Sequence, residues 1–234
     1  MRMAGLNPPR TDLKMDDYPQ RVGRVNRFLI ADPLPWAVWL LIRRSFSKIK
    51  SAYLGWLFRA RGLYLGPGCK VSGSRFIRFG ANIYAQGNLS LHAVSSYGNQ
   101  RFQPVIEIGD AVSFSERVHI SCIESVQIGK RVLIGSGTYI GDHHHGVYNG
   151  PHQSHPDSPP ASRVLGGGGP VIICDDVWIG DNVVIIGAVT IGRGSIIGAN
   201  SVVRRDIPDR TIAGGVPARV IKRFNQTTFQ WERI

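Results

Sequence analysis

From Ile173 onward an aliphatic residue recurs every six positions, at Ile173, Ile179, Ile185, Ile191, Ile197 and Val203. Four residues after each stands a second small or β-branched residue: Val177, Val183, Val189, Ser195, Ser201 and Ile207. Gly180, Gly192 and Gly198 fill the slot directly after an aliphatic one. A helix repeats its faces every ~3.6 residues and a strand every ~2, and neither period produces this pattern. A six-residue unit with an inward aliphatic side chain describes a short strand, a bend and another short strand, with three units, about 18 residues, completing one coil. The sequence therefore predicts an all-β solenoid.

The same register runs upstream through Ile108, Phe114 and Ile120, slips by two, and continues through Ile128, Ile134 and Ile140. A weaker copy passes through Leu65, Val71 and Ile77, slips to Phe79, and goes on to Ala85 and Leu91. The solenoid is expected over residues 63–207, with two breaks. His92 to Val105 reads as a short excursion. Asp142 to Pro170 is a long one, rich in His, Pro, Ser and Gly and without periodicity. Unstructured stretches of that length inside a compact domain are usually functional, so this loop is expected to carry chemistry.

The flanks differ in character. Residues 1–62 form a basic, aromatic-rich segment in which Pro33 to Arg61 reads as a helix, with Trp36, Trp39, Phe46, Tyr53 and Trp56 interleaved with Arg43, Arg44, Lys48, Lys50, Arg59 and Arg61. Such a helix either caps the first coil or lies peripherally in the headgroup region of an anionic membrane. After Ile207-Pro208-Asp209 the register ends, and residues 208–234 are expected to form a turn at Gly214 to Pro217 and a short capping helix over Ala218 to Trp231.

The net charge is +12, and residues 1–61 supply twelve Lys and Arg against four Asp. A surplus of this kind favours an anionic partner, but no nucleic-acid-binding motif accompanies it, so nucleic acid is not expected. The longest apolar run, Leu34 to Ile42, falls short of the ~20 residues of a spanning helix, and no export signal is legible. Three separated cysteines, Cys69, Cys122 and Cys174, form neither a disulfide framework nor a zinc motif, which points to a cytoplasmic location, at most peripheral to the inner face of a membrane.

The run IICDDVWIGDNVVIIGAVTIGRGSIIGANSVVRRDIPDRTIAGGVPARVIKRFN, preceded by YIGDHHHG, resembles the hexapeptide-repeat acyltransferases, in particular the maltose and galactoside O-acetyltransferases and their polysaccharide-biosynthesis relatives. That resemblance covers residues 106–224 well and 63–105 loosely. It implies a left-handed parallel β-helix, a homotrimer, acetyl-CoA as donor, and a sugar acceptor in surface polysaccharide, lipopolysaccharide or exopolysaccharide biosynthesis, free or lipid-linked. It also assigns roles. Removing a proton from an attacking hydroxyl requires a base, and the DHHHG loop start places that base at His143, with His145 the alternative and Asp142 a group that can position it or contact substrate. The donor contacts carry over to Trp178 near the acyl site, to Asp181 and Ala199 along the pantetheine slot and to Arg204, Arg205, Arg219 and Lys222 near the phosphates. The Asn with which the maltose/galactoside branch holds its acceptor is missing from Phe114 to His119, leaving Ser115, Glu116 and His119 as candidate acceptor contacts.

Other readings keep the repeat and change the chemistry. N-acetylation of an amino sugar, or transfer to another small acceptor, would retain the base and the donor slot. A metal-binding β-helix of the γ-carbonic anhydrase type requires three imidazoles aimed at one ion from two coil faces, and the consecutive His143, His144 and His145 cannot all do this from a regular strand. Recruiting His119, His152 or His155 would leave the Arg-rich end and the GVPARVI turn without a purpose, so no metal is expected. A non-catalytic scaffold would have no need of the loop histidine. With no Cys or Ser in a nucleophile setting, direct transfer in a ternary complex is expected.

Overall fold

A computed structural model of the chain describes residues 33–166 and 168–234. The N-terminal part of the basic segment, residues 1–32, lies outside the described residues. The chain divides into two units, Met1–Arg43 and Arg44–Ile234. Within the first, Trp36 and Trp39 stack at 4.7 Å and the Arg43 guanidinium lies 4.9 Å from the Trp39 ring.

In the second unit the six-residue period becomes three parallel sheets that the chain visits in rotation. Tyr64–Leu65, Tyr84–Gly87, Ser113–Glu116, Leu133–Ile134, Trp178–Ile179, Ile196–Ile197 and Thr211–Gly215 make up the first sheet. Lys70–Ser72, Ser90–Ala93, His119–Cys122, Tyr139–Gly141, Val184–Ile186 and Val202–Val203 make up the second. Ile77–Phe79, Val105–Ile108, Ser125–Ile128, Val171–Ile173 and Val189–Ile191 make up the third. Where the repeat is regular, pairs such as Trp178↔Ile196 and Val184↔Val202 are 18 residues apart.

Register explains why this sequence closes a core. The inward residue of each strand sits on the inward residue of the next coil, so Leu65, Ala85, Phe114, Ile134, Ile179, Ile197 and Ala213 form one buried column of the first sheet. Leu91, Ile120, Ile140, Ile185 and Val203 form the corresponding column of the second. Each Leu, Ile, Val or Phe among them removed from water stabilises the stack by roughly 1.5–3 kcal/mol. The second residue of each hexad, from Val177 to Ile207, is also buried and fills the corners. Corners are closed by a repeated device in which an Asp accepts a backbone N–H from the preceding coil: Asp110 from Ala81 at 2.9 Å, Asp175 from Lys130 at 2.7 Å and Asp209 from Arg193 at 2.8 Å. Tight corners also demand left-handed backbone, as at Gly137 (φ 72), where an added Cβ would stand 2.3 Å from Asn182 Oδ1.

The predicted N-terminal helix is present as α1, Leu34–Leu57. Its second half caps the first coil. Ser51 Oγ accepts the Leu65 N–H at 2.8 Å and donates to the Ser47 carbonyl at 2.6 Å, Lys50 Nζ donates to the Gly66 carbonyl at 3.2 Å, and Phe58 meets Phe79 edge-on at 5.1 Å.

The C-terminal helix expected over Ala218 to Trp231 is not formed. Ala218–Asn225 is a strand that turns back antiparallel on Thr211–Gly215, and Gln230–Arg233 adds a further antiparallel strand. Two causes act together. Val220, Ile221 and Phe224 favour an extended chain, and the last coil would otherwise leave its Thr211–Gly215 edge with unpaired N–H and C=O groups. The returning hairpin pairs that edge, and Phe224 packs on Trp231 at 5.3 Å.

Candidate active site

Both breaks in the repeat emerge beside the second and third sheets and are ordered by each other. The first is a small hairpin, Ser96–Tyr97 against Gln100–Arg101. The second is less irregular than its composition predicts, because its ends pair as His144–His145 against Leu165–Gly166. Gln100 clasps Leu165 from both sides, donating Nε2 to its carbonyl at 2.9 Å and accepting its N–H at 2.7 Å. Arg163 holds the interior of the loop by donating to the Tyr148 hydroxyl and to the carbonyls of Ser158 and Pro156. The base of the loop is pinned where Gly169 N–H donates to the Asp142 carbonyl at 3.0 Å.

At that base Asp142 is buried, with 1% relative exposure. Its carboxylate accepts the backbone N–H groups of Ile123, Glu124 and Ser125 at 2.7–3.1 Å and the Cys122 thiol at 3.2 Å. Burial alone would raise its pKa. The hydrogen bonds from His143, from the Ile123 and Glu124 backbone and from Cys122 outweigh that and hold the carboxyl below its ordinary value. The same surroundings, burial first and then the Asp142 charge, push the Cys122 thiol well up, so it stays protonated as a packing and donor group.

His143 places Nδ1 2.8 Å from Asp142 Oδ1. An ionised carboxylate only accepts, so Nδ1 carries a proton, and in the neutral tautomer that this selects Nε2 is the acceptor. Nε2 faces Ser121 Oγ at 3.5 Å, at the outer face of the second sheet. Ser121 and His119 lie two apart on the His119–Cys122 strand and so share that face. There His119 meets His92 at 5.4 Å and Tyr139 at 5.5 Å, both edge-on. Burial and then the neighbouring His92 keep the His119 pKa low, favouring the neutral ring. Burial and the Asp142 charge raise that of Tyr139, which stays a phenol. The result is a strip of hydroxyl, imidazole and phenol groups leading to a basic nitrogen.

The other predicted positions are distributed as follows. His145 is exposed and turns to the hairpin, its Nδ1 3.3 Å from the Tyr97 hydroxyl, instead of toward the His143 ring nitrogens. Glu116 pairs with Arg117 at 3.7 Å at the end of its first-sheet strand, and Ser115 precedes it there. Trp178 stands half exposed on the first sheet between Leu133 and Ile196. Asp181 accepts the Ser136 N–H at 2.6 Å, the same corner-closing contact made by Asp110, Asp175 and Asp209, so its carboxylate has a structural task of its own. Ala199 lies in the next corner. Arg204 and Arg205 are exposed just after the second-sheet strand Val202–Val203, whereas Arg219 and Lys222 lie on the returning C-terminal strand of the first sheet. Among the described residues no group of three or more His, Cys, Asp or Glu side chains is arranged to hold a metal ion. Ser121, His92, Tyr139 and Tyr97 contact the predicted histidines and are not singled out by the sequence pattern.

The bacterial transferase hexapeptide family (six repeats) matches residues 170–205. WbbJ of Escherichia coli (strain K12), named as a lipopolysaccharide biosynthesis O-acetyl transferase, is 39% identical over 166 residues, covering 70% of this chain and 81% of that one. The hexapeptide-repeat acetyltransferase VCA0836 of Vibrio cholerae, solved with acetyl coenzyme A, is 27% identical with a TM-score of 0.50, covering 80% of this chain and 83% of that one. AntD of Bacillus cereus, an N-acyltransferase, shares the fold with a TM-score of 0.61 at 21% identity, over 78% of this chain and 91% of that one. The chain belongs to the hexapeptide-repeat acetyltransferases, the class that draws its acyl group from acetyl-CoA.

Proposed function

We propose that the enzyme transfers an acetyl group from acetyl-CoA to a sugar hydroxyl of a bacterial surface glycan, with His143 as the general base. The observation that carries this is the Asp142–His143 pair, which turns Nε2 toward Ser121 at the edge of a polar strip. An acceptor hydroxyl placed between Nε2 and Ser121 loses its proton to Nε2 as its oxygen attacks the thioester carbonyl, and Asp142 stabilises the imidazolium that forms. Collapse of the tetrahedral adduct breaks the C–S bond, and the departing thiolate takes the proton back from Nε2. His119, Tyr139 and His92 are proposed to hold the sugar, and no covalent acyl-enzyme is required.

The coil is read as a closed left-handed β-helix, in keeping with the fold shared with the acyltransferases above. Three copies are proposed to assemble side by side. Support comes from the spread of donor candidates, since Trp178, Arg219 and Lys222 sit on the first sheet while Arg204 and Arg205 leave the second. A slot between two copies can draw on both sets. The lipopolysaccharide role in the name of WbbJ favours a glycan acceptor, lipid-linked when it is modified.

The test is release of CoA thiol from acetyl-CoA with lipid-linked oligosaccharide as acceptor, followed by mild alkali on the product. An O-acetyl ester is removed by alkali and supports the reading. An alkali-stable amide contradicts it in favour of N-acetylation.

A further inference from the structure

Helix α1 has two faces over residues 44–57, and only one of them is used by the solenoid. Ser47, Ser51 and Leu54 face the first coil. The other face carries Phe46, Ile49, Tyr53, Trp56 and Leu57, with relative exposures of 70%, 69%, 61%, 76% and 51%. At about 100° per residue these side chains fall in one stripe. The alternating spacing of three and four continues back to Ile42 and Trp39, themselves 52% and 43% exposed. Contiguous bare apolar surface of this kind marks an interaction site.

Charge selects the occupant. Between Pro33 and Arg61 stand six Lys and Arg and no Asp or Glu. A second copy zipping along this seam would bring Phe46 and Tyr53 to one core position and Ile49 and Trp56 to the other, with Lys50 beside them and no Asp or Glu on the facing helix. Bulky aromatics at such positions and flanks that carry cations but no acidic residue are poor material for a helical zipper. The same composition, with amphipathic rings on one face and cations around it, suits a helix lying flat among anionic headgroups. No described helix is long and apolar enough to cross a membrane.

We propose that α1 is an in-plane docking surface for an anionic phospholipid membrane. It turns the first coil toward the bilayer, and its use in presenting a lipid-linked acceptor rests on the reading given above. If three copies assemble side by side, three such helices share one end, and their combined partitioning far exceeds that of one.

The full chain is tested by co-sedimentation with vesicles of phosphatidylcholine alone and with one third phosphatidylglycerol. The expected result is at least tenfold stronger partitioning into the anionic vesicles, reversed by half-molar salt, with a blue shift of tryptophan fluorescence. F46S/W56S and K48E/R61E should each lower that partitioning at least tenfold while leaving CoA release with a water-soluble acceptor unchanged. Equal partitioning of wild type and both variants overturns the proposal, as does partitioning into neither vesicle. So does a stripe occupied by a second copy, seen as a concentration-dependent increase in mass that F46S/W56S abolishes without any lipid effect. Loss of CoA release in the wild type, with binding intact, would instead count against the catalytic reading alone.

Discussion

Asp142 Oδ1 accepts a hydrogen bond from His143 Nδ1 at 2.8 Å, and the same carboxylate is anchored by three successive backbone N–H groups, those of Ile123, Glu124 and Ser125. The histidine that opens the loop is therefore oriented by the coil beneath it. An Asn at position 142 keeps the shape but can present its NH₂ to Nδ1. That would put the ring proton on Nε2, the nitrogen proposed to receive the hydroxyl proton. For Asp142→Asn we expect kcat to fall by about 10²–10⁴, the range associated with losing general base catalysis, with KM for acetyl-CoA little changed. Steady-state kinetics checks this. An effect confined to KM would show that Asp142 serves binding instead.

The same carboxylate makes stability depend on pH. Its native pKa lies below the ordinary ~3.9 of an unfolded Asp, so the unfolded chain binds more protons across that window and stability rises with pH. The contribution is present above about pH 4 and is lost as pH falls through the native pKa. Thermal melts should show the wild type above Asp142→Asn at neutral pH, with the gap closing below about pH 4. A gap that widens on acidification would reverse the sign and refute the assignment.

His119 touches His92 and Tyr139 on the outer face of the second sheet and does not reach the Asp142 carboxylate network. His119→Leu keeps most of the bulk and removes a hydrogen-bonding group, worth about 0.5–1.5 kcal/mol. KM for the acceptor is expected to rise roughly three- to tenfold, while KM for acetyl-CoA stays constant. Initial rates with each substrate varied in turn separate the two.

Two packing changes test the account of the fold. Ile185 is fully buried between Ile140 and Val203, so Ile185→Ala should cost about 2–5 kcal/mol. Ser51→Ala leaves the Leu65 N–H without its 2.8 Å acceptor at the first coil and should cost about 1–3 kcal/mol. Denaturant unfolding measures both. A neutral Ser51→Ala would mean that the helix does not cap the solenoid.

The parts of the molecule that were legible in the sequence are those where one side chain answers to one slot. Every aliphatic residue of the hexad series from Ile173 to Val203 is buried, because inward positions of a coil accept little else. The DHHHG motif marks the start of the loop, where His143 stands against Asp142. Tyr139, His92 and Ser121 were not legible, because their meeting depends on how coils of unequal length stack. His119 pairs with Tyr139 across 20 residues instead of 18, a consequence of the two-residue slip that the pattern shows but whose facing partners it does not name. The C-terminal strands differ from the predicted helix for a related reason. Ala218 to Trp231 is short and ambiguous by itself, and what decides its conformation is the open edge of Thr211–Gly215 left by the last coil.

The central claim is that His143, not His145, receives the acceptor proton, and the direct measurement is CoA release from acetyl-CoA by wild type, His143→Ala and His145→Ala under saturating acceptor. His143→Ala is expected to lose at least ~10²-fold in kcat, while His145→Ala, which removes an imidazole that faces Tyr97, is expected to retain activity within about tenfold. Full activity of His143→Ala, or a larger loss on His145→Ala, would contradict it.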